Sequence, residues 1–443
     1  MRKNSLQHEH AVVVGAGIAG LCAAAALATR FVRVTVVDRD DIAPDSWFRR
    51  GVPQGHHAHY LLERGAMAME DLFPGLRAEI KAAGVPVHDF GIVARFLLPT
   101  GWSPLHETGI TIQPLSRPYL ETFLRRRALA LDNVTLLTDF HVDGLNLARS
   151  HKGPHHVRGI RGRHNGQAVD LTANLVVETT GRGSRLPRWL TEHGLPAPRE
   201  REISARVVYA SRIYHGHPDS GPLIQGALVY APTRRRGGAV LGMENDTGLV
   251  ILAGADGELC PTDEEGFAAY ATTLPTPVVR DYLSAHEPCG PIHRTTNLSN
   301  RWRLLHRYPK WPHGLIALGD SVCYFNPIYA QGMTVAALQA AALPGWLDGH
   351  TTTRIFQHKL ARIIRTPWLM ATSADLAWAP RQAGATARAA HWYLDRLMPH
   401  LPAKPDLYRR FASVQHMRRS PATLLAPSVL RTVLGPAAPP LCP

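Results

Sequence analysis

The chain has 443 residues, of which 45% are hydrophobic and 19% charged, with a formal net charge of +14. That length exceeds one ordinary domain and supplies apolar surface for a core shared by two or more lobes. The basic excess is nearly all arginine spread along the chain, clustered only at Arg125, Arg126, Arg127 and at Arg234, Arg235, Arg236 without interleaved aromatics; this excludes a nucleic-acid binder and leaves a solvated surface that attracts anionic cofactors, carrier-bound substrates or a membrane face.

The N-terminal MRKNSLQHEH leads straight into the strand-like run Ala11 to Val14 without the apolar core of a signal peptide. Residues 10 to 38 read strand, glycine turn, helix, strand, a βαβ unit in which Gly15, Ala16, Gly17, Ile18, Ala19 and Gly20 form G-x-G-x-x-G. Gly15 is expected to make the tight turn, Gly17 to let backbone approach a pyrophosphate, and Gly20 to let helix pack on strand. Asp38, 18 residues after the last glycine, is placed to bind ribose hydroxyls of either FAD or NAD. The stretch Ile18 to Ala28 is too short to cross a bilayer, and no run of 18 apolar residues exists anywhere. These features predict a cytoplasmic protein with no transmembrane segment and room for peripheral membrane contact.

Arg117 to Arg127 has the apolar spacing of an amphipathic helix with proline in its first turn, and Asn133 to Leu137 reads as a strand. Leu175 to Glu178 is a buried strand entering a second glycine turn, Thr180-Gly181-Arg182-Gly183. Between 200 and 290 the texture becomes β-rich, as suits an inserted sheet over a substrate. His313 to Leu318 forms a last buried strand, and GDSVCYFNPIYAQGM (319–333) then leads into a helix from about Thr334 to Trp346. The expected organisation is a discontinuous nucleotide lobe (8–85, 111–195 and 296–345), a β-rich substrate domain (86–110 and 196–295) and a C-terminal helical cap (346–443). Five scattered cysteines without a CxxC pair argue against disulfides and a zinc site.

GAGIAG with Asp38, the TTGRGSR turn and GDSVCYFNPIYAQGM resemble, in that order, the FAD-dependent monooxygenases of the aromatic-hydroxylase (GR2) fold, an α/β FAD-binding Rossmann-like class. Arg50-Gly51-Val52-Pro53-Gln54 with His57 and His59, Ser116-Arg117-Pro118, and Asn326-Pro327-Ile328-Tyr329 are more narrowly similar to bacterial flavin epoxidases of polyketide polyenes, polyether-type and squalene-epoxidase-like. The resemblance implies that Gly15, Gly17 and Gly20 cradle the FAD pyrophosphate, that Asp38 binds the adenosine ribose with Arg39 beside the adenine, and that Arg117 reaches the ribityl and phosphate region. It implies that Asp320 accepts from a ribityl hydroxyl, and that the amides of Gln331, Gly332 and Met333 after Pro327 stabilise reduced flavin. Ala16, Ile18, Ala19, Arg50, Gly51, Val52, Gln54, Val142 and Gly319 complete the implied FAD-binding set.

The implied chemistry is oxygen transfer from a flavin C4a-hydroperoxide, epoxidising or hydroxylating a large apolar polyene-type secondary metabolite in a dry pocket; it needs no catalytic triad. No residue is assigned a catalytic role, and His57, Tyr324, Phe325 and Tyr329 are candidate pocket residues. Two positions depart from the pattern. Thr180 stands where the aromatic hydroxylases carry Asp, so reducing equivalents come either from NAD(P)H directly or through a partner flavin reductase. Ala330 stands where glycine is usual, which costs about 1 kcal/mol if φ is positive and little if it is negative. Competing readings are a hydrolase with Ser321 as nucleophile, metal binding by His56, His57 and His59 or by His151, His155 and His156, a flavin oxidase, and a redox-neutral cyclase built on bound FAD.

Overall fold

The computed structural model describes residues 8–43, 47–150, 153–219, 221–378 and 384–436. His151 and Cys442 lie outside them.

Five parallel strands form the nucleotide sheet, in the order Leu315–Ala317, Leu175–Glu178, His8–Val14, Phe31–Val37 and Val134–Leu137. Val12, Val13, Val176, Val177 and Ile316 are fully buried, the near-continuous apolar pattern expected where both faces of a parallel sheet are covered. The helix Ile18–Ala28 is almost entirely buried on the sheet because its alanines leave room for close approach. Gly20 is required there, since a Cβ would lie 1.8 Å from the Gly15 carbonyl oxygen.

A second sheet of eight strands runs in the order Cys323–Tyr324, His293–Arg303, Glu200–His215, Thr247–Gly254, Arg236–Met243, Ile224–Ala227, Ala94–Leu98, Gly101–Trp102. Its side chains alternate between two environments, as the period of a strand requires. Val208, Ala210, Val240, Val250 and Leu252 pack under the helices Glu264–Thr272 and Val278–Ala285. Ala205, Val207, Tyr209, Ala253 and Leu298 face the other way, toward Ile328 and Trp378. The two helices interrupt the span expected to be β-rich; Asp263 starts the first by accepting from the Gly266 N–H at 2.7 Å, with Glu264 and Glu265 in its first turn.

The helix after the last nucleotide strand is shorter than expected. It covers Gly332–Ala341, and a separate helix, Leu343–Asp348, follows across the Pro344 step. The helix Thr353–Asp375 packs along the nucleotide lobe through Phe356, Leu360, Ile364 and Trp368. The later helices Ala385–Leu397, Pro405–Gln415 and Pro427–Leu434 bury Leu397, Tyr408, Val414, Val429 and Val433 against Phe90, Val93, Ile112 and Ile224. Cys22, Cys260, Cys289 and Cys323 are free, and no helix among the described residues is long and apolar enough to cross a membrane.

Candidate functional site

Three adjacent parallel strands, His8–Val14, Leu175–Glu178 and Leu315–Ala317, deliver their following turns to one place at the carboxyl edge of the nucleotide sheet, where ligands of open α/β sheets bind. Gly15 turns the chain at φ +106° and donates its N–H to the Val37 carbonyl at 2.8 Å. Thr179, from the second turn, donates its hydroxyl to the Val14 and Gly15 carbonyls at 2.8 and 2.9 Å, locking the first two turns together. A Cβ on Gly17 would meet only Arg117 Nη2, at 3.8 Å, so backbone is open at the helix start. Arg117 Nη1 is buried without a protein partner. An open helix N-terminus beside an orphaned guanidinium nitrogen fits a pyrophosphate.

Asp38 accepts from the Ala16 N–H at 2.6 Å and the Asp40 N–H at 3.0 Å. It also pairs with Arg49 Nη2 at 2.8 Å. Arg49 is buried and bonds Glu121 Oε1 at 2.6 Å and the Ala16 carbonyl at 3.0 Å. Burial opposes its charge, but Asp38 and Glu121 more than offset that and hold its pKa above the usual arginine value. Arg39, Arg50 and Gln54 are exposed, and Gly51 donates to Asp40 Oδ2 at 3.0 Å next to Val52. The inward member of the Arg49–Arg50 pair is thus the one the sequence reading did not select; the acids Asp38 and Asp40, which need a cation, were the only signal for it. Val142 packs at the rim of the cluster holding Val14 and Val37.

The third turn presents Gly319 and Asp320. Burial raises the Asp320 pKa, while Arg117 and Arg182 pull it back down. A Cβ on Gly332 would lie 3.6 Å from Asp320 Oδ1, so the start of the Gly332–Ala341 helix abuts this carboxylate. Ser321 is fully buried and its hydroxyl accepts from the Gly181 N–H at 2.9 Å; it joins two turns and is not a free nucleophile. Glu178, also fully buried, accepts from the Thr180 N–H at 3.1 Å and from its hydroxyl, and burial raises its pKa.

Asn326 opens the turn Pro327–Tyr329, and Ala330 closes it at φ 53°, ψ 21°. Ala330 therefore carries its methyl in the left-handed region, where a non-glycine residue is strained, and the cost expected for a positive φ applies. Val335 is the first residue to bond back to Gln331, which leaves the N–H groups of Gly332 and Met333 at the helix entrance without an intrahelical partner. Pro327 is exposed, and the buried Gln331 Oε1 has no partner.

The candidate pocket residues divide. His57 Nδ1 lies 3.0 Å from Ser211 Oγ, and burial, aided by His293 and His56, pushes its pKa down to about 4. Tyr324 has the guanidinium groups of Arg182 and Arg301 at 5.0 and 4.9 Å from its ring centre. Phe325 belongs to the core cluster of Trp302 and Trp368, and Tyr329 packs against that cluster while donating its hydroxyl to Asp375 at 2.6 Å. Ile328 and Trp378, not among the candidate pocket residues, meet the inner face of the large sheet. Among the described residues no group of three His, Cys, Asp or Glu side chains is placed to hold a metal.

Residues 13–71 match the NAD(P)-binding Rossmann-like domain family. The chain is 35% identical to protein Rv3254 of Mycobacterium tuberculosis over 351 residues, 76% of this chain and 72% of that protein. It is 27% identical over 433 residues to kynurenine 3-monooxygenase of Salinispora tropica, covering 89% and 85% of the two chains. The myxobacterial chondrochloren halogenase CndH, an FAD-dependent halogenase, superposes with a TM-score of 0.64 at 16% identity over 94% of this chain and 98% of its own. The chain belongs to one family with protein Rv3254, and its fold is the FAD-binding fold shared by flavin-dependent monooxygenases and halogenases.

Proposed function

We propose that this protein is a flavin-dependent monooxygenase that transfers one oxygen atom from O2 to a large apolar polyene or polyketide-type metabolite, by epoxidation or hydroxylation. The observation that carries the reading is the position of the 326–330 turn. Ile328 at its tip packs on the apolar inner face formed by Ala205, Val207, Tyr209, Ala253 and Leu298, while its other end leads into the helix entrance beside Asp320. One segment thus borders both the cofactor site and an apolar surface.

In this reading Gly17, Arg117 and the start of the Ile18–Ala28 helix receive the pyrophosphate, Asp38 takes the adenosine ribose and Asp320 a ribityl hydroxyl. Gly332 and Met333 direct amide N–H groups toward the ring. Bound FAD supplies reductive activation of O2. The chain's residues keep water away: the inner face of the eight-stranded sheet forms the apolar wall. With Thr180-Gly181 at the second turn, the reading assigns the electron supply to a separate flavin reductase. A redox-neutral cyclase built on the same bound FAD is the second reading; Ala330, left-handed where glycine is usual, is the departure that favours it.

Purified protein is expected to be yellow and, after anaerobic reduction and rapid mixing with O2, to show an oxygen-dependent absorbance transient before reoxidation. Reoxidation without a transient moves the assignment to oxidase or cyclase, and a chain that cannot be loaded with FAD removes the reading.

A further inference from the structure

Asp375, the last residue of the Thr353–Asp375 helix, is 1% exposed, and three donors from two other parts of the chain converge on its carboxylate. Asn300 Nδ2 donates to Oδ2 at 2.6 Å, the Tyr329 hydroxyl donates to Oδ1 at 2.6 Å, and Asn326 Nδ2 donates to both oxygens at 3.3 Å. The set continues outward: the Asn326 N–H donates to Asn300 Oδ1 at 2.8 Å, and Asn326 Oδ1 accepts from the Tyr209 hydroxyl at 3.0 Å. Asn300 and Asn326 are fully buried and Tyr209 nearly so. The network therefore ties the two ends of the 326–329 turn to one carboxylate on the C-terminal helix and to two strands of the large sheet.

A buried carboxylate held by amides and a phenol, with no cation among these donors, is an expensive way to hold a turn, because apolar packing would serve without the desolvation cost. What apolar packing could not do is fix the direction of the turn at both ends while its next residue is strained. Ala330 follows Tyr329 directly and sits at φ 53°, and that conformation persists only where the surroundings over-determine it.

We propose that Asp375 is a positioning residue for the flavin-facing turn: by accepting from Tyr329, Asn326 and Asn300 it holds Ala330 left-handed and so aims the Gly332 and Met333 amides at the ring. The inference rests on the reading of 319–333 as the flavin site. It couples the C-terminal helix to the cofactor's environment without Asp375 touching the cofactor. The groups that face the carboxylate are Tyr329 from the turn, Tyr209 from the sheet through Asn326, and the amides of Asn300 and Asn326. Burial pushes the Asp375 pKa up to about 6, against the hydrogen bonds, which lower it. Both phenols stay neutral, since burial raises them well above the usual tyrosine value. Protonation of Asp375 turns one acceptor oxygen into a donor and releases Tyr329 or Asn300.

The test uses full-length, FAD-loaded protein and three variants, Asp375→Asn, Tyr329→Phe and Asp320→Ala, read by FAD affinity, flavin midpoint potential and the pH profile of the visible band. The expected result is a wild-type band that shifts between pH 5 and 7, with no such shift in Asp375→Asn. In Asp375→Asn the potential becomes more negative, and FAD binds about tenfold more weakly, the scale of a lost charge-assisted hydrogen bond. Tyr329→Phe gives a smaller displacement of the potential in the same direction and carries the test if Asp375→Asn does not fold. Unchanged potential and pH profile in a variant that merely melts earlier overturns the proposal, leaving Asp375 a packing residue. Full FAD affinity in Asp320→Ala overturns the underlying site reading instead, so the two failures are told apart.

Discussion

Arg49 Nη1 lies 2.6 Å from Glu121 Oε1, and the same guanidinium reaches Asp38 Oδ2 with Nη2 at 2.8 Å. One buried cation therefore connects the acid at the end of the second nucleotide strand to the Arg117–Leu129 helix, whose first residue points its own guanidinium toward Glu121 Oε2 at 3.5 Å. Glu121→Gln leaves Arg49 buried with less compensation. A loss of about 3 kcal/mol in unfolding free energy is expected, together with weaker FAD binding. Denaturant titration with and without FAD measures both; an unchanged midpoint would show that Asp38 and Asp40, the latter 3.3 Å from Arg49 Nη2, suffice for Arg49.

At Ala330 the left-handed conformation costs about 1–2 kcal/mol, partly returned by glycine's greater freedom in the unfolded chain. Ala330→Gly is therefore expected to stabilise the folded protein by about 0.5 kcal/mol, a small rise in melting temperature. FAD affinity should remain within a factor of two, because the turn already has the glycine-like geometry. Destabilisation by the substitution would mean that the methyl contributes packing worth more than the strain.

Asp320→Ala removes the carboxylate lying 3.6 Å from the position of a Gly332 Cβ. The variant is expected to fold, with far-ultraviolet circular dichroism unchanged, and to purify with little flavin. Equilibrium dialysis against FAD provides the measurement. Arg117→Met, which deletes the orphaned Nη1 nitrogen, should weaken binding of FAD and also of ADP, a probe that shares only the pyrophosphate end.

His416 is 1% exposed, accepts the Glu63 N–H on Nδ1 at 3.2 Å, and stacks its ring edge against Tyr60 at 5.6 Å. Burial pushes its pKa down from 6.5 to about 4, with Glu63 opposing. The folded state thus binds fewer protons than the unfolded state between these values. Its contribution, about 3 kcal/mol, is fully present above pH 6.5 and is lost as pH falls toward 4. Urea unfolding followed from pH 7 to pH 4 should show a decline that His416→Asn reduces; an equal decline in both would assign it to other groups.

The first glycine turn, the acid Asp38 and the loop 319–333 were legible because each is encoded by neighbours in sequence: a glycine at positive φ with a helix start three residues on for the first, the end of a β-branched strand for the second, and a buried strand, a glycine at positive φ and a following helix for the third. Those local patterns were sufficient to determine the α/β class, the order of the nucleotide strands' turns, and that one segment ends in a helix N-terminus beside an acid. The tertiary structure alone decided that Arg49 and not Arg50 turns inward, that Ser321 is a buried tie between turns, that Ala330 is left-handed, and that Asp375, 49 residues after Asn326, closes on the same turn. The physical reason is that burial of a charge, the sign of a strained φ and the convergence of hydrogen bonds across such separations depend on which surfaces are covered, and a covering surface is contributed by residues remote in the chain.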